Sequence, residues 1–81
     1  MSSARKAKKS ITPAVELGAA IRSRRLAAGL SQEDLGFEAD THRTYIGAIE
    51  RGEKAITVEK LVVLAVALDC SASQILKDCG L

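Results

Sequence analysis

Apolar and small residues recur at helical spacing between positions 12 and 29, and one charge interrupts them. Thr12 followed by Pro13 is typical of a helix start, with Thr as N-cap and Pro in the first turn, where its missing N–H is not needed. Gly29 is typical of a helix end. Arg25 falls where the pattern requires an apolar residue, so it needs a partner if it is buried. The stripe consists of Ala14, Leu17, Gly18, Ile21, Arg25 and Ala28.

Two short helices joined by a sharp turn are predicted between positions 31 and 52. Ser31 is an N-cap signal for the segment SQEDLGFEA, whose acidic first turn suits the positive end of a helix. Leu35 and Ala39 are expected to point inward. Positions 40–42 are too few for anything but a tight turn before the next helix. This arrangement predicts a helix-turn-helix, in which the second helix enters the major groove of DNA.

The stretch from Asp40 to Gly52, DTHRTYIGAIERG, predicts a helix with two dissimilar faces. One face is centred on Ile46 and includes His42, Ile49 and Glu50. The other is small and polar with arginines, which suits a major groove, because the groove offers guanine acceptors to Arg and thymine methyls to Thr or Ala. An ordinary solvated helix is the alternative. The outer residues are Thr44, Gly47, Ala48 and Arg51, with Arg43 and Tyr45 on the flanks.

A fourth helix is predicted in TVEKLVVLAVALD, with Thr57 as its N-cap and a core stripe of Leu61, Leu64, Ala65 and Leu68. Val62, Val63 and Val66 add a second apolar surface beyond what one small core needs. That excess is expected to bury against the last helix or against a second subunit.

The last helix is indicated by Ser71 with Gln74 three residues later, the pattern of a capping box, and by Gly80 at its end. Ile75, Leu76 and Cys79 fall on one face. The expected dimer interface comprises Val62, Val66, Ile75, Leu76 and Leu81.

The composition favours helices packed on helices and argues against an enzyme. Phe37 and Tyr45 are the only aromatic residues, and Ala and Leu dominate, so we expect one all-α domain of five helices over residues 12–81. The chain of 81 residues is too short for a sizeable cleft and shows no nucleophile, metal cluster or phosphate loop. His42 is expected to act in a cap or turn, and no cofactor is expected.

The basic charge is concentrated at the start of the chain. Four of the 12 basic residues lie in the first ten positions, so the remaining eight against ten acidic residues leave positions 11–81 at −2, although the whole chain carries +2. Residues 1–11 are expected to form a disordered basic tail. No apolar run follows these charges, so neither a secretory signal nor a membrane anchor is expected.

The two cysteines, Cys70 and Cys79, are expected to be reduced thiols in a cytoplasmic protein. Structural zinc takes four ligands, and two cysteines with one distant histidine do not supply them. We therefore expect small apolar packing roles for both thiols.

The combined pattern of GLSQEDL, the spacing from Gln32 to Arg43, and IERG resembles the lambda-repressor-like helix-turn-helix family, also called the Xre type. The resemblance covers roughly residues 15–77. Within that family, HRTYIGAIERGEKAITVEKL is similar to the controller proteins of restriction-modification systems, where a similar RTYIS.IERG stretch reads the operator. Gly47 departs from the Ser common there, which leaves the operator sequence open.

The resemblance implies roles for individual residues. Gln32 matches a glutamine that contacts phosphate, whereas Arg43, Thr44 and Tyr45 match positions at bases or adjacent backbone. Arg25 and Glu50 match a buried ion pair. The DNA-binding set expected from the wheel and the resemblance together is Gln32, Thr41, His42, Arg43, Thr44, Tyr45, Gly47, Ala48 and Arg51.

These expectations lead to a homodimeric, sequence-specific transcription regulator that binds a pseudo-palindromic double-stranded DNA operator. The controller of a restriction-modification system is the favoured context, and RNA polymerase is a candidate further partner. Another Xre-type repressor and an antitoxin-like protein-interaction module are the alternatives. A module that does not bind DNA would have no need for both Gln32 and Arg43 at groove-facing positions.

Overall fold

The computed structural model describes residues 13–81, and this part of the chain consists of α-helices joined by short turns, without a strand. The five helices are α1 (Pro13–Ala27), α2 (Gln32–Glu38), α3 (Arg43–Glu50), α4 (Val58–Ala67) and α5 (Ala72–Asp78). The all-α class with five helices is confirmed. The expected basic tail and the expected N-cap Thr12 lie outside the described residues.

Side-chain caps define the helix starts where the sequence predicts them. Ser31 accepts a hydrogen bond from the Asp34 amide and donates its own amide to the Asp34 carboxylate, which closes a capping box. That amide holds the pKa of the Asp34 carboxyl below its usual range. Ser71 forms the equivalent box with Gln74, and Thr57 caps α4.

The core lies between all five helices and is made of aliphatic side chains. Its fully buried members are Ile21, Leu35, Ile46, Ile49, Leu64 and Ile75. The prediction that Ile75 belongs to a dimer interface is therefore wrong. Because α5 packs against both α1 and α4, the face that carries Ile75 is turned into the monomer's own core.

Helix α1 approaches α3 backbone to backbone at Gly18. A Cβ atom on Gly18 would collide with the carbonyl oxygens of Ile49 and Glu50, so only glycine permits this spacing. Arg24 of α1 pairs with Asp78 of α5. This contact links the end of α1 to the end of α5.

A buried ion pair joins α1 to α3 through the two charges that the sequence placed on inward faces. Arg25 Nε donates to Glu50 Oε2 at 2.6 Å and Arg25 Nη2 to Glu50 Oε1 at 2.9 Å. Arg25 Nη1 donates to the Leu30 carbonyl at 2.8 Å, so the guanidinium also ties down the turn after α1. The hydrogen bonds that Arg25 donates to Glu50 raise the pKa of Arg25 and keep it charged, even though both residues are buried.

Replacing either partner alone with alanine should destabilise the fold more than replacing both with apolar residues, because a single removal strands a buried charge. We expect each of Arg25→Ala and Glu50→Ala to lower the free energy of unfolding by ~3–5 kcal/mol, and Arg25→Met with Glu50→Leu to lower it less. Urea denaturation of the three variants measures this. A loss below ~1 kcal/mol in both single variants would contradict a buried pair.

Candidate nucleic-acid interface

Helices α2 and α3 are joined by a turn so tight that it depends on a close backbone contact. The Thr41 amide donates to the Gly36 carbonyl at 2.7 Å, and a Cβ atom on Gly36 would collide with the Thr41 carbonyl. Asp40 adopts a left-handed conformation, with φ at 51°. The short turn places α2 and α3 against each other as a helix-turn-helix requires.

His42 caps the start of α3. Its Nδ1 accepts a hydrogen bond from the Thr44 amide at 3.0 Å, so a neutral ring carries its proton on Nε2. The side chain is otherwise exposed. Its role in the structure is that of a helix cap, and Nε2 stays available to a partner outside.

Three of the residues expected to contact DNA form the exposed side of α3 and its end. Arg43, Thr44 and Arg51 are all exposed. Arg43 lies 3.8 Å from the Glu33 carboxylate, too far for a hydrogen bond, and both side chains are more than half exposed. An exposed pair of this kind holds Arg43 only weakly, so its guanidinium can turn toward an external acceptor.

The helical wheel was wrong about Ala48, which the structure buries, whereas Gly47 lies on the outer side of α3 but is covered by other side chains. Residues 46–50 are buried in succession, because α1 packs on one side of α3 and α2 on another. Ala48 is only 8 % exposed and is removed from the groove-facing set. Gly47 lies beneath the side chains of Gln32 and Arg51.

Gln32 connects the exposed surface to the buried ion pair. Its Nε2 donates to Glu50 Oε1 at 3.1 Å, so the carboxylate held by Arg25 also holds Gln32. Gln32 is half-buried, and its Oε1 has no donor among the described residues' hydrogen bonds. The first turn of α2 thus brings an amide group to the outer side of α3, consistent with the phosphate-contacting role that the resemblance implies.

Arg51 is held by a neighbouring acid. Its Nε donates to Glu53 Oε2 at 2.9 Å and its Nη2 to Glu53 Oε1 at 3.1 Å. This bidentate contact lowers the pKa of the Glu53 carboxyl and raises that of Arg51, so both groups are ionised near neutral pH. Glu53 orients the guanidinium through these two hydrogen bonds, and sequence reasoning did not anticipate that contact.

Thr41 and Tyr45 share a contact with Lys60, a residue that the sequence did not single out. Lys60 Nζ donates to Thr41 Oγ1 at 2.6 Å and lies 6.0 Å from the centre of the Tyr45 ring. The Thr41 hydroxyl in turn donates to the Ala39 carbonyl at 3.0 Å. Thr41 and Tyr45 are both half-buried. Through Lys60 they connect the turn and α3 to α4, and their remaining surface borders the exposed side of α3.

Phe37 is a further residue that the sequence did not single out. It lies near the end of α2 and is 86 % exposed. It borders an open groove between α2 and α3, together with Glu33, Gly36, Asp40, Thr41, His42 and Arg43. An exposed aromatic ring of this size gains no free energy from hydrophobic burial, because it has no partner inside the monomer.

The part of the chain that the structure describes contains neither a cluster of metal ligands nor a helix that could span a membrane. No group of three or more His, Cys, Asp or Glu residues within 13–81 is arranged to hold a metal ion. Cys70 and Cys79 are free, half-buried thiols packed against the core. None of the helices in this range combines the length and the apolar character that crossing a membrane requires.

Comparison with known proteins agrees with this geometry. A family model described as helix-turn-helix matches residues 21–75. The control protein C.SmaI of Serratia marcescens is 44 % identical over 61 residues, which cover 75 % of this chain and 73 % of that protein. The crystal structure of the restriction-modification controller protein C.AhdI from Aeromonas hydrophila superposes with a TM-score of 0.76 at 36 % identity, covering 78 % of this chain and 91 % of C.AhdI.

A third relative has been solved together with DNA. The controller protein C.Esp1396I, crystallised as a tetramer in complex with its natural 35-base-pair operator, superposes with a TM-score of 0.71 at 29 % identity, over 80 % of this chain and 91 % of that one. C.SmaI is described as a control protein, C.AhdI as a restriction-modification controller protein, and C.Esp1396I forms a complex with its operator. The chain belongs to the helix-turn-helix family of DNA-binding regulators, and within that family it is similar to the restriction-modification controller proteins.

Proposed function

We propose that this protein is the controller of a restriction-modification system and binds a pseudo-palindromic operator as a homodimer. The observation that carries the proposal is the outer side of α3, where Arg43, Thr44 and Arg51 are exposed while the rest of the helix is clamped between α1 and α2. A rigidly held helix with exposed arginines suits the major groove. The similarity to three controller proteins supports the context.

The second subunit is proposed to bind along α4. Val58, Val62 and Val66 recur every four residues along one side of that helix, and they are 74 %, 45 % and 71 % exposed. Leu81 is 55 % exposed and is joined to the half-buried Leu76 by its amide, which donates to the Leu76 carbonyl at 2.8 Å. Burying this apolar surface against a second copy would remove it from water.

The proposal also includes a location and a further partner. Because the protein is proposed to bind an operator, its proposed location is the cytoplasm. RNA polymerase is the proposed further partner, and the exposed Phe37 of α2 is the apolar side chain proposed to contact it. Transcription assays on the operator would decide whether bound protein recruits or blocks the enzyme.

Selection of bound sequences from random duplexes tests the main proposal. We expect an inverted repeat whose half-sites lie about 34 Å apart, or a multiple of that distance, since two α3 helices related by a twofold axis must reach one face of the duplex. Failure to enrich any sequence would contradict the proposal and favour a protein-interaction module on the same fold.

A lysine placed on the valine stripe should break the dimer. We expect wild-type protein to sediment as a dimer at micromolar concentration and Val66→Lys to sediment as a monomer, because the change would bury a charge in the interface. Leu26→Lys is the matched control, since Leu26 is 51 % exposed and lies on α1, which carries none of the residues proposed for the interface. Wild-type protein that remains monomeric at tens of micromolar while binding DNA normally would sink the assignment.

Loss of Arg43 should alter base preference and not only affinity. Arg43 begins α3, where its planar guanidinium can bond O6 and N7 of one guanine, so Arg43→Ala should cost ~1–3 kcal/mol on the operator and relax preference at one position per half-site. Lys77→Ala, which removes an equal charge from α5, is the control. Affinities for operator, point-changed operators and random duplex provide the measurement.

An equal loss on every duplex would instead make Arg43 a phosphate contact. Base reading would then fall to Thr44, Tyr45 and the deformability of the DNA.

A further inference from the structure

Two polar side chains converge over Gly47, in the middle of α3. A Cβ atom on Gly47 would lie 3.1 Å from Arg51 Nη1, 3.3 Å from Gln32 Oε1 and 3.6 Å from Gln32 Nε2. Each of the two shorter distances is less than a relaxed van der Waals contact between such atoms. A Cβ atom at residue 47 would therefore push the ends of these two side chains back by a few tenths of an ångström, and a longer side chain would push them farther.

Separate carboxylates hold these two side chains in place. Glu50 accepts from Gln32 Nε2 and is itself held by Arg25. Glu53 binds Arg51 through Nε and Nη2, which leaves Nη1 as the guanidinium nitrogen directed over Gly47. Because each side chain has a carboxylate of its own, the carboxamide and the guanidinium both lie over the glycine before any partner arrives.

We propose that Gly47 is a positioning residue that lets Gln32 and Arg51 act as one preorganised donor pair on the outer side of α3. The remaining N–H groups of Arg51 Nη1 and of Gln32 Nε2 suit acceptor atoms of a duplex, either phosphate oxygens or the edge of a base. This inference rests on the proposed function, since it names residues with which the same surface would bind DNA.

Glycine at position 47 lowers the stability of α3, and this loss provides a test of its role. Alanine or leucine in the interior of a helix is favoured over glycine by its intrinsic propensity. If the space over residue 47 were idle, filling it would stabilise the protein. If the space holds Gln32 and Arg51, a side chain at residue 47 displaces them, and part of the gain is lost.

A thermal double-mutant cycle measures this without DNA. In a Gln32→Ala, Arg51→Ala background, Gly47→Leu should raise Tm by about 4–8 °C, the effect of better helix propensity in a domain of this size. In the wild-type background the gain in Tm should be smaller by about 3 °C or more, because the effects of substitutions at residues in contact are not additive. Equal gains in the two backgrounds would show that Gly47 holds neither side chain and would overturn the inference.

The composition of the chain supplies a direct spectroscopic readout. Gln32 and Gln74 are the only glutamines and there is no asparagine, so the side-chain amide region of a nitrogen-15 correlation spectrum holds two NH₂ pairs. Gln32→Ala assigns one pair by deleting it. Gly47→Leu should shift the Gln32 pair and leave the Gln74 pair in place, since Gln74 caps α5. A Gln32 pair that stays unshifted would argue against displacement.

DNA binding is tested with the milder Gly47→Ala, on the duplex selected by the wild-type protein. We expect Kd to rise roughly tenfold in the wild-type background and less than about twofold when Gln32→Ala and Arg51→Ala are already present. A rise shared by operator and random duplex identifies phosphate as the acceptor, whereas a rise on the operator alone identifies a base edge.

The two proposals fail in different ways. If the wild-type protein prefers no duplex, the proposed function falls and this inference falls with it. If the wild-type protein binds its operator but Gly47→Ala raises Kd by the same factor in both backgrounds, residue 47 meets the DNA by itself. The positioning role alone is then overturned, and the proposed function stands.

Discussion

The carboxylate of Glu50 is the point on which the arrangement of α1, α2 and α3 depends. It is buried, accepts both arms of Arg25 from α1, and accepts the carboxamide of Gln32 from α2. Arg25 extends the same network to the Leu30 carbonyl in the connecting turn. A buried carboxylate is tolerated only when its lone pairs are satisfied, so the positions of three helices are tied to one charged group. Hydrophobic burial alone is non-directional and does not specify such positions.

This network also explains why the outer surface of α3 is not made of α3 residues alone. Because α1 and α2 cover so much of the helix, its middle contributes little exposed area. The polar groups above it come from the first turn of α2 and from Arg51, the C-cap residue of α3. Bases or phosphates approaching α3 would therefore meet Arg43 and Thr44 at its start and Gln32 with Arg51 farther along. The surface is a composite, in which Glu50 holds Gln32 and Glu53 holds Arg51.

Much of the fold could be predicted from the sequence because its signals are local. The caps at Ser31, Thr57 and Ser71 and the inward position of Arg25 follow from spacing along single helices. The burial of Ala48 and Ile75 could not be predicted in this way, since a helical wheel assumes one buried side and does not know how many neighbours a helix has. The contact of Lys60 with Thr41, and that of Glu53 with Arg51, depend on side-chain geometry that no periodic pattern encodes. Phe37 had no expected partner in the sequence and has none within the monomer's core.

The glycine contact between α1 and α3 bears on how such a protein can diversify. At Gly18 the spacing of the two helices is set by main-chain atoms, which are the same in every variant. Exchanging Arg43, Thr44 or Arg51 leaves that contact unchanged, because none of these exposed side chains takes part in it. The scaffold can therefore accept new exposed side chains without repacking, and a lineage could drift toward new targets through surface changes alone. Gly18 itself cannot change in this way, since any larger residue would move the whole of α3.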